Sequence, residues 1–264
     1  MFLKNNTLKP EWSRDCKNLI CGFTLPYFGN QALTRKSYST GKTLKENRIF
    51  LAENLGIDSG SIFSPRQTHS DIVVFVDDEN SGRGSYSIED AVEGDACLTD
   101  KNNNLLLVTW ADCIPAILFE KEKNIVAAIH SGWRGTKENI TGKTVEKMVE
   151  LGGDPENIFA AIGPGIRDCC YQIGSEVAEY FKNKEYCEYL KIKDGEYRLD
   201  LQSVIYKQLL LSGIKKENID NAEKCNCCDK EINFFSCRKD GKENFEAQAA
   251  FIGVYPLPRD SRRL

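Results

Sequence analysis

The sequence predicts an α+β protein in which mixed β-sheets are flanked by helices, as one compact domain spanning residues 1–264. Apolar strand-like segments come in runs, with helical segments between only some of them, instead of in strict strand–helix alternation. One helix carries both a start and a stop signal in its sequence. No linker rich in proline, glycine or serine divides the chain, and no internal repeat interrupts it. These observations favour a single domain of mixed architecture.

The helices are predicted from apolar periodicity and from terminal signals. In residues 43–55, Thr43 and Glu46 form a capping-box pattern and Gly56 is a stop signal. Apolar residues recur at helical spacing in three further segments. We therefore expect additional helices over 137–151, 174–183 and 200–212, the last with Asp200 as its N-cap.

The strands are predicted from short apolar runs rich in β-branched residues. Segments 114–119 and 125–130 are separated by five mostly charged residues, which favours a β-hairpin. The other predicted strands cover 72–76, 105–109 and 157–162, with one more near 247–254.

Composition restricts the classes of protein to be considered. The 264 residues are 41% hydrophobic and 28% charged, which is typical of a globular protein. The formal net charge is −4, which disfavours nucleic acid as a partner. The first twenty residues contain no apolar stretch of signal-peptide length, and no apolar run is long enough to cross a membrane. We therefore expect a cytoplasmic protein without a membrane partner.

The high count of cysteine and the low count of histidine each restrict the chemistry of the protein. Eleven cysteines without an export signal are expected to be mostly reduced thiols. Only two histidines are present, His69 and His130. A four-copper oxidase of the laccase kind takes most of its ligands from imidazoles, so two histidines exclude that chemistry.

Three short segments concentrate the residues that could perform chemistry. They are 66–71, just before a predicted strand, 110–113, between two predicted strands, and 130–136, at the exit of a strand. His69, Cys113 and His130 lie one in each segment. Two imidazoles and one thiolate form a competent zinc site with a fourth position open for water or substrate. The alternative is two unrelated histidines and a buried thiol.

The third segment is predicted as a glycine-rich turn that leads into a helix beginning near Thr136. Backbone N–H groups at such a helix start attract anions, and Arg134 within the turn adds a guanidinium suited to phosphate. The alternative is a tight turn with a solvent-facing arginine. Asp112, next to Cys113, is a candidate general acid/base or a partner of a histidine; alternatively, it caps the backbone at a strand end.

A second group of cysteines lies toward the C-terminus. Cys225, Cys227 and Cys228, with Cys237 downstream, are compatible with a structural zinc knuckle. The absence of a second clear Cys-x-x-Cys pair argues against this interpretation.

Seven short motifs occur in a fixed order along the chain. They are Asn47-Arg48, Gln67-x-His69, Asp95-Ala96, Ala111-Asp112-Cys113, the run 130–136 (His-Ser-Gly-Trp-Arg-Gly-Thr), the run 162–166 (Ile-Gly-Pro-Gly-Ile) and Tyr171-x-Ile173-Gly174. In these motifs and their order, the chain resembles the YfiH/laccase-domain family, once described as multicopper polyphenol oxidases and now as purine nucleoside phosphorylases. The resemblance covers roughly residues 43–240.

The resemblance implies a zinc site made by His69, Cys113 and His130, with copper as an occupant in vitro. It implies phosphorolysis of adenosine, inosine and methylthioadenosine, and deamination of adenosine. The expected partners are therefore purine nucleosides and phosphate, and the protein is expected to be a monomer or a homodimer. The residues assigned to the site beyond the ligands are Asp112 and Arg134 as catalytic groups, and Arg48, Gln67 and Gly132 as substrate-binding groups.

The chain departs from the family pattern at two places. An Arg-Gly-Gly stretch near the N-terminus is replaced by residues 23–29 (Phe-Thr-Leu-Pro-Tyr-Phe-Gly), and a Thr-Gly-Arg motif is absent after residues 235–239. Three alternative functions therefore stay open. They are a cysteine hydrolase with Cys113 as nucleophile and a histidine as base, a weak copper-dependent polyphenol oxidase, and a nucleoside-binding protein that has lost catalysis.

Overall fold

The fold is built from two six-stranded sheets packed face to face, with helices on both outer surfaces. The structure is a computed structural model, and it describes residues 1–34, 39–183 and 185–256. In these ranges the strands are β1 Phe2–Lys4, β2 Thr7–Lys9, β3 Leu19–Thr24, β4 Ile62–Phe63, β5 Val73–Phe75, β6 Ala96–Thr99, β7 Leu105–Trp110, β8 Ile114–Glu120, β9 Ile125–Ser131, β10 Ile158–Ile162, β11 Gln172–Ile173, β12 Leu190–Lys193, β13 Glu196–Leu199, β14 Ile219–Asn221 and β15 Gln248–Val254. The α-helices are α1 Leu44–Leu55, α2 Trp133–Lys137, α3 Ile140–Glu150, α4 Ser175–Ala178, α5 Leu201–Leu211 and α6 Cys237–Asp240.

The first sheet has the strand order β1-β2-β3-β15-β7-β4, and the second has the order β14-β10-β8-β9-β6-β5. Most neighbours are antiparallel, but β4 with β7, β5 with β6, and β10 with β14 are parallel pairs. A three-stranded sheet, β11-β13-β12, lies outside the two large sheets. The predicted α+β class with mixed sheets and flanking helices is therefore confirmed.

The core has three layers of apolar contact, because buried strands alternate their side chains between two faces. Phe23 and Val108 from the first sheet pack between the sheets against residues such as Ile117 of the second. The opposite face of the second sheet packs on α3 and α5. The opposite face of the first sheet packs on α1. Every residue of β8, β9 and β15 is buried, which makes these strands a rigid support for whatever lies at their ends.

The best-predicted elements are those with explicit local signals. Helix α1 has the predicted capping box between Thr43 and Glu46, and it ends at Gly56 in the left-handed conformation. Helix α5 begins after Asp200, whose carboxylate accepts a hydrogen bond from the Ser203 amide. Strands β8 and β9 form the predicted antiparallel hairpin. The strands expected near 72–76, 105–109, 157–162 and 247–254 are also present.

The segment predicted as a turn followed by a helix over 137–151 is organised differently. Helix α2 already begins at Trp133, with Gly132 as its N-cap, and α3 begins only at Ile140. Asn139 separates the two helices because it adopts a left-handed conformation with φ 57°. The expected helix start at Thr136 is therefore wrong, and the helix predicted over 174–183 is α-helical only over α4.

In the described residues, no helix combines the length and the apolar character needed to cross a bilayer.

Candidate metal centre

Cys113 and His130 are brought together by the open end of the β8–β9 hairpin. Pro115 pairs with His130 and Ile114 pairs with Ser131, so Cys113 is the next residue outward on its strand. The facing residue is Gly132. A Cβ atom at Gly132 would lie 3.0 Å from the Cys113 sulfur, so glycine leaves the thiol room to face its neighbours.

His69 reaches the same place from the loop before β5. This loop ends beside the hairpin because β5 pairs with β6, and β6 pairs with β9. His69 has a left-handed backbone with φ 61°, which turns its side chain toward the end of the hairpin. The His69 and His130 rings meet edge to face, with centroids 5.0 Å apart.

Asp95 fixes the backbone that carries His69. Its carboxylate accepts hydrogen bonds from the amide N–H groups of Thr68, His69 and Ser70 at 2.7–3.1 Å. It also accepts a hydrogen bond of 2.8 Å from His130 Nδ1. Asp95 is fully buried, and burial by itself would raise its pKa. The hydrogen bond and charge of His130, with those from Ser70, outweigh burial and lower the pKa of Asp95 to about 2.

Asp95 received no role in the sequence analysis, although it was noted within the Asp95-Ala96 motif. The motif was the only sequence signal, because no strand was predicted over 96–99, where β6 lies. The β6–β9 register places Asp95 beside His130, because Ala96 pairs with Ile129 and the His130 amide donates to the Asp95 carbonyl.

The three predicted ligands form a compact donor set. One donor atom from each of His69, Cys113 and His130 lies within 4.8 Å of the other two. Because His130 Nδ1 is held by Asp95, its Nε2 is the nitrogen left for a metal. Two imidazoles and a thiolate match the ligand chemistry of a three-residue zinc site.

The electrostatics of the metal-free site favour the thiolate. Burial would raise the pKa of Cys113, but the charge and hydrogen bonds of His130 and His69 lower it to about 6. Burial would likewise lower the pKa of His130, but the Cys113 thiolate and Asp95 raise it to about 10. The thiol is therefore prepared in the deprotonated form that binds a metal.

A cavity of about 410 Å³ opens onto two of the three predicted ligands, His69 and Cys113. This size falls in the range that accommodates small-molecule ligands, about 300–1,000 Å³. The cavity is lined by His69 and Cys113 together with Ala111, Asp112, Trp133, Arg134, Ile166, Tyr171, Leu201, Cys237, Lys242 and Phe245. A second cavity of about 120 Å³ reaches His69, Cys113 and His130 from the side of Gln67 and Thr109.

Arg134 lines the larger cavity and is exposed. Its guanidinium lies over the Trp133 ring, 4.4 Å from the centroid. Helix α2 is only five residues long and begins at Trp133, before the expected start at Thr136, and its positively charged side chains are Arg134 and Lys137.

Asp112 lies beside Cys113 but its carboxylate is engaged elsewhere. One oxygen accepts hydrogen bonds from Asn226 Nδ2 at 2.9 Å and Ser236 Oγ at 2.6 Å. The other oxygen accepts one from the Arg238 amide at 2.7 Å. Asp112 also has a positive φ of 85°. These contacts match the alternative in which the carboxylate caps the backbone, here that of the 226–238 segment. Asp112 also lines the larger cavity, and its catalytic role stays a prediction.

Arg48 lines neither of the two cavities, and its assignment as a substrate-binding residue stays a prediction. It is fully buried, and its guanidinium donates to the carbonyl oxygens of Gln31, Gly84 and Ser85. It also donates to Ser64 Oγ. Burial lowers the pKa of Arg48 to about 9. Its contacts make it a residue that joins α1 to two loops.

Gln67 lies at the smaller cavity, but its amide is bound to the backbone of β7. Gln67 Nε2 donates to the Thr109 carbonyl at 2.8 Å, and its Oε1 accepts from the Thr109 amide and hydroxyl. It holds the loop that carries His69 against the first sheet. Tyr171, which received no role from the sequence, lines the larger cavity, and burial raises its pKa.

The structure also groups the C-terminal cysteines differently from the zinc knuckle that the sequence disfavoured. Cys225 and Cys228 lie with Cys169 and Cys170, and this group does not include Cys237.

Fold and site together define a two-sheet α+β protein in which a His, Cys, His group that could hold a metal ion lies at the open end of a hairpin. The chain belongs to the family described as multi-copper polyphenol oxidoreductase laccase, whose sequence model matches residues 21–254.

The chain is also similar to individual proteins of known sequence and structure. It is 40% identical over 182 residues to a purine nucleoside phosphorylase of Clostridium acetobutylicum, covering 67% of this chain and 70% of that protein. It is 32% identical over 247 residues to the adenosine deaminase RL5 of an unknown prokaryotic organism, covering 91% and 89%. The crystal structure of Bacillus licheniformis YfiH matches with a TM-score of 0.86 and 28% identity, covering 95% and 97%.

Proposed function

We propose that this protein is a zinc-dependent purine nucleoside phosphorylase that acts on adenosine, inosine and methylthioadenosine and also deaminates adenosine. The observation that carries the proposal is the convergence of donor atoms from His69, Cys113 and His130. Two of these residues, His69 and Cys113, line a cavity of about 410 Å³. The names of the similar proteins support the same chemistry. A cytoplasmic location accords with eleven free thiols.

The three ligand residues would hold zinc, which when bound supplies Lewis-acid chemistry at the end of the cavity. Cys113 provides the charge-compensating thiolate, and Asp95 orients the His130 ring and the His69 backbone. Gly132 keeps the approach to the ligands open, since any larger residue would place a Cβ against Cys113 and His69.

The remaining cavity residues fit a nucleoside and phosphate. Trp133, Ile166 and Tyr171 offer aromatic and apolar surface for a purine base. Arg134 offers an exposed guanidinium for the phosphate. In phosphorolysis a phosphate oxygen bonds to the anomeric carbon as the bond from that carbon to the purine nitrogen breaks, so the products are a free base and a pentose 1-phosphate.

The decisive experiment measures free purine base from each nucleoside with and without phosphate, using zinc-loaded protein. We expect base release that depends on phosphate, and its loss in Cys113→Ala. Cys187→Ala, which removes an exposed thiol outside the group, is the matched control and should retain activity. Tight nucleoside binding without turnover would instead support a protein that has lost catalysis.

A cysteine hydrolase is the second candidate, because Cys113 has a lowered pKa and two neighbouring imidazoles. The two functions respond oppositely to alkylation of the thiol. If Cys113 binds zinc, metal-loaded protein should resist iodoacetamide and keep its activity. If Cys113 is a nucleophile, alkylation should abolish activity in the presence of zinc. Elemental analysis of the same protein distinguishes zinc from copper.

A further inference from the structure

A second group of cysteine side chains lies away from the His69, Cys113 and His130 group. Cys169 and Cys170 come from the turn after β10, and Cys225 and Cys228 come from the loop after β14. All four sulfur atoms lie within 4.8 Å of one another. The Cys169 and Cys228 sulfurs are 3.5 Å apart.

These distances match a tetrahedral metal site better than a disulfide. With Zn–S bonds of about 2.3 Å, the sulfur atoms of a four-cysteine zinc site lie about 3.8 Å apart. A disulfide requires about 2.05 Å. All eleven cysteines of the chain are free thiols in the structure. The four sulfurs therefore have the number and the spacing of a closed tetrathiolate site.

The two loops meet because β10 and β14 are parallel neighbours, with Ile162 paired to Asn221. Beyond the strands, the Gly165 amide donates to the Lys224 carbonyl, and the Asn226 amide donates back to the Gly165 carbonyl. Backbone pairing therefore sets the separation of the loops independently of the sulfur atoms. Cys225 and Cys228 also have the two-residue spacing that is typical of zinc-binding turns.

The surroundings also compensate the charge of a tetrathiolate. Four thiolates around a divalent ion leave a net charge of −2, and two arginines lie against the cysteine backbone. Arg198 donates to the Cys169 carbonyl at 2.9 Å, and Arg238 donates to the Cys170 carbonyl at 2.9 Å. Guanidinium groups at this position lower the electrostatic cost of the bound anion.

We propose that these four cysteines bind one Zn²⁺ ion in a structural site separate from the His69, Cys113 and His130 group. Binding replaces four S–H bonds by four Zn–S bonds and releases four protons, with no change of oxidation state. Because all four ligands are protein residues, the site is closed and stabilises structure instead of performing chemistry.

The site would shape the larger cavity. Tyr171, which lines the cavity, directly follows Cys170, and the Arg238 guanidinium lies 5.8 Å from its ring centroid. On the other loop, Asn226 lies between two of the cysteines and donates to Asp112. A metal that holds both loops therefore fixes two parts of the cavity wall.

Zinc stoichiometry tests the proposal on the full chain. We expect two zinc ions in the wild-type protein, one in Cys113→Ala, one in Cys169→Ser and none in the double variant. Cys227→Ser is the matched control, because Cys227 lies in the same loop but outside the group, and it should retain both ions. If the His69, Cys113 and His130 group binds no zinc, the wild type and Cys113→Ala should each contain one zinc ion, and Cys169→Ser should contain none. This result would contradict the proposed function, on which the four-cysteine site does not depend, and would still support the four-cysteine site.

Cobalt spectroscopy of metal-free Cys113→Ala keeps the test decisive if Cys169→Ser does not fold. Adding Co²⁺ alone should produce the intense sulfur-to-metal charge-transfer and d–d bands of a tetrathiolate site at one equivalent. Absence of these bands, full zinc retention in folded Cys169→Ser, or a disulfide between any two of the four cysteines in zinc-replete, reduced protein would overturn the proposal.

Discussion

Replacing Asp95 with asparagine tests whether this carboxylate organises the metal-binding group. The substitution preserves shape but removes the negative charge and half of the acceptor capacity. In the structure the two oxygens accept five hydrogen bonds, three from backbone amides, one from Ser70 Oγ and one from His130 Nδ1. An asparagine amide group must place its NH₂ toward at least one of these donors.

The magnitude follows from the contacts. Hydrogen bonds to a charged group contribute about 1.5–3 kcal/mol each, and the contributions within one network do not add. Because Asp95 is fully buried, we expect the free energy of unfolding to fall by about 2–4 kcal/mol. Substituting a residue that orients a metal-binding histidine lowers metal affinity by about 10- to 100-fold.

The assay is zinc affinity by competition with a chelator of known strength, together with chemical unfolding of the metal-free protein. Glu93→Gln is the matched control, because Glu93 is exposed, accepts from Arg66 and Thr68 in the same loop, and does not touch a histidine. We expect little change in the control. If Asp95→Asn binds zinc as tightly as the wild type, Asp95 does not orient His130, and the reasoning is wrong.

Three further outcomes are expected. The lowered pKa of Asp95 means that its contribution to stability is complete above its ordinary value of 3.8 and is lost as the pH falls toward about 2. The free energy of unfolding of the wild type should therefore fall through this pH range, and Asp95→Asn should lack that part of the pH dependence when both proteins are unfolded with denaturant at each pH. Gly132→Ala should reduce zinc affinity while leaving the fold intact, because its Cβ would lie 3.0 Å from both the Cys113 sulfur and a His69 ring carbon at an ordinary φ of −78°; unchanged affinity in equilibrium dialysis would contradict this. Arg134→Ala should raise the KM for phosphate about ten- to a hundredfold, with partial recovery in Arg134→Lys, whereas equal loss of every activity with unchanged phosphate KM would indicate that the arginine only supports the local structure.

The predictable parts of the molecule are those encoded by neighbouring residues. The capping box of α1 and the charged connection between β8 and β9 are local signals, and both elements are present. The candidate metal ligands were predictable for a different reason. The chain has only two histidines, one shortly before an apolar strand and one near the end of another, so few alternative donor sets existed.

The parts that could not be predicted depend on strand pairing between distant segments. Asp95 contacts His130 because β6 lies beside β9, and Cys170 lies near Cys225 because β10 lies beside β14. Sequence periodicity reports which face of a strand is buried but not which strand is its neighbour. The division of the segment after β9 into α2 and α3 depends on the local backbone. Asn139 adopts a left-handed conformation, which ends one short helix and begins another where a single longer helix was expected.

Asp112 connects the two groups of candidate metal-binding residues. Its backbone positions the adjacent Cys113, while its carboxylate accepts from Asn226, which lies within the loop that carries Cys225 and Cys228. The same carboxylate accepts from the Arg238 amide, and the Arg238 side chain in turn donates to the Cys170 carbonyl. A displacement of either cysteine loop would therefore be transmitted to Asp112 through hydrogen bonds of 2.9 Å or less and from there to the backbone of Cys113. This connection gives Asp112 a reason to occur beside a metal ligand without taking part in proton transfer, because it couples the position of that ligand to the wall of the cavity.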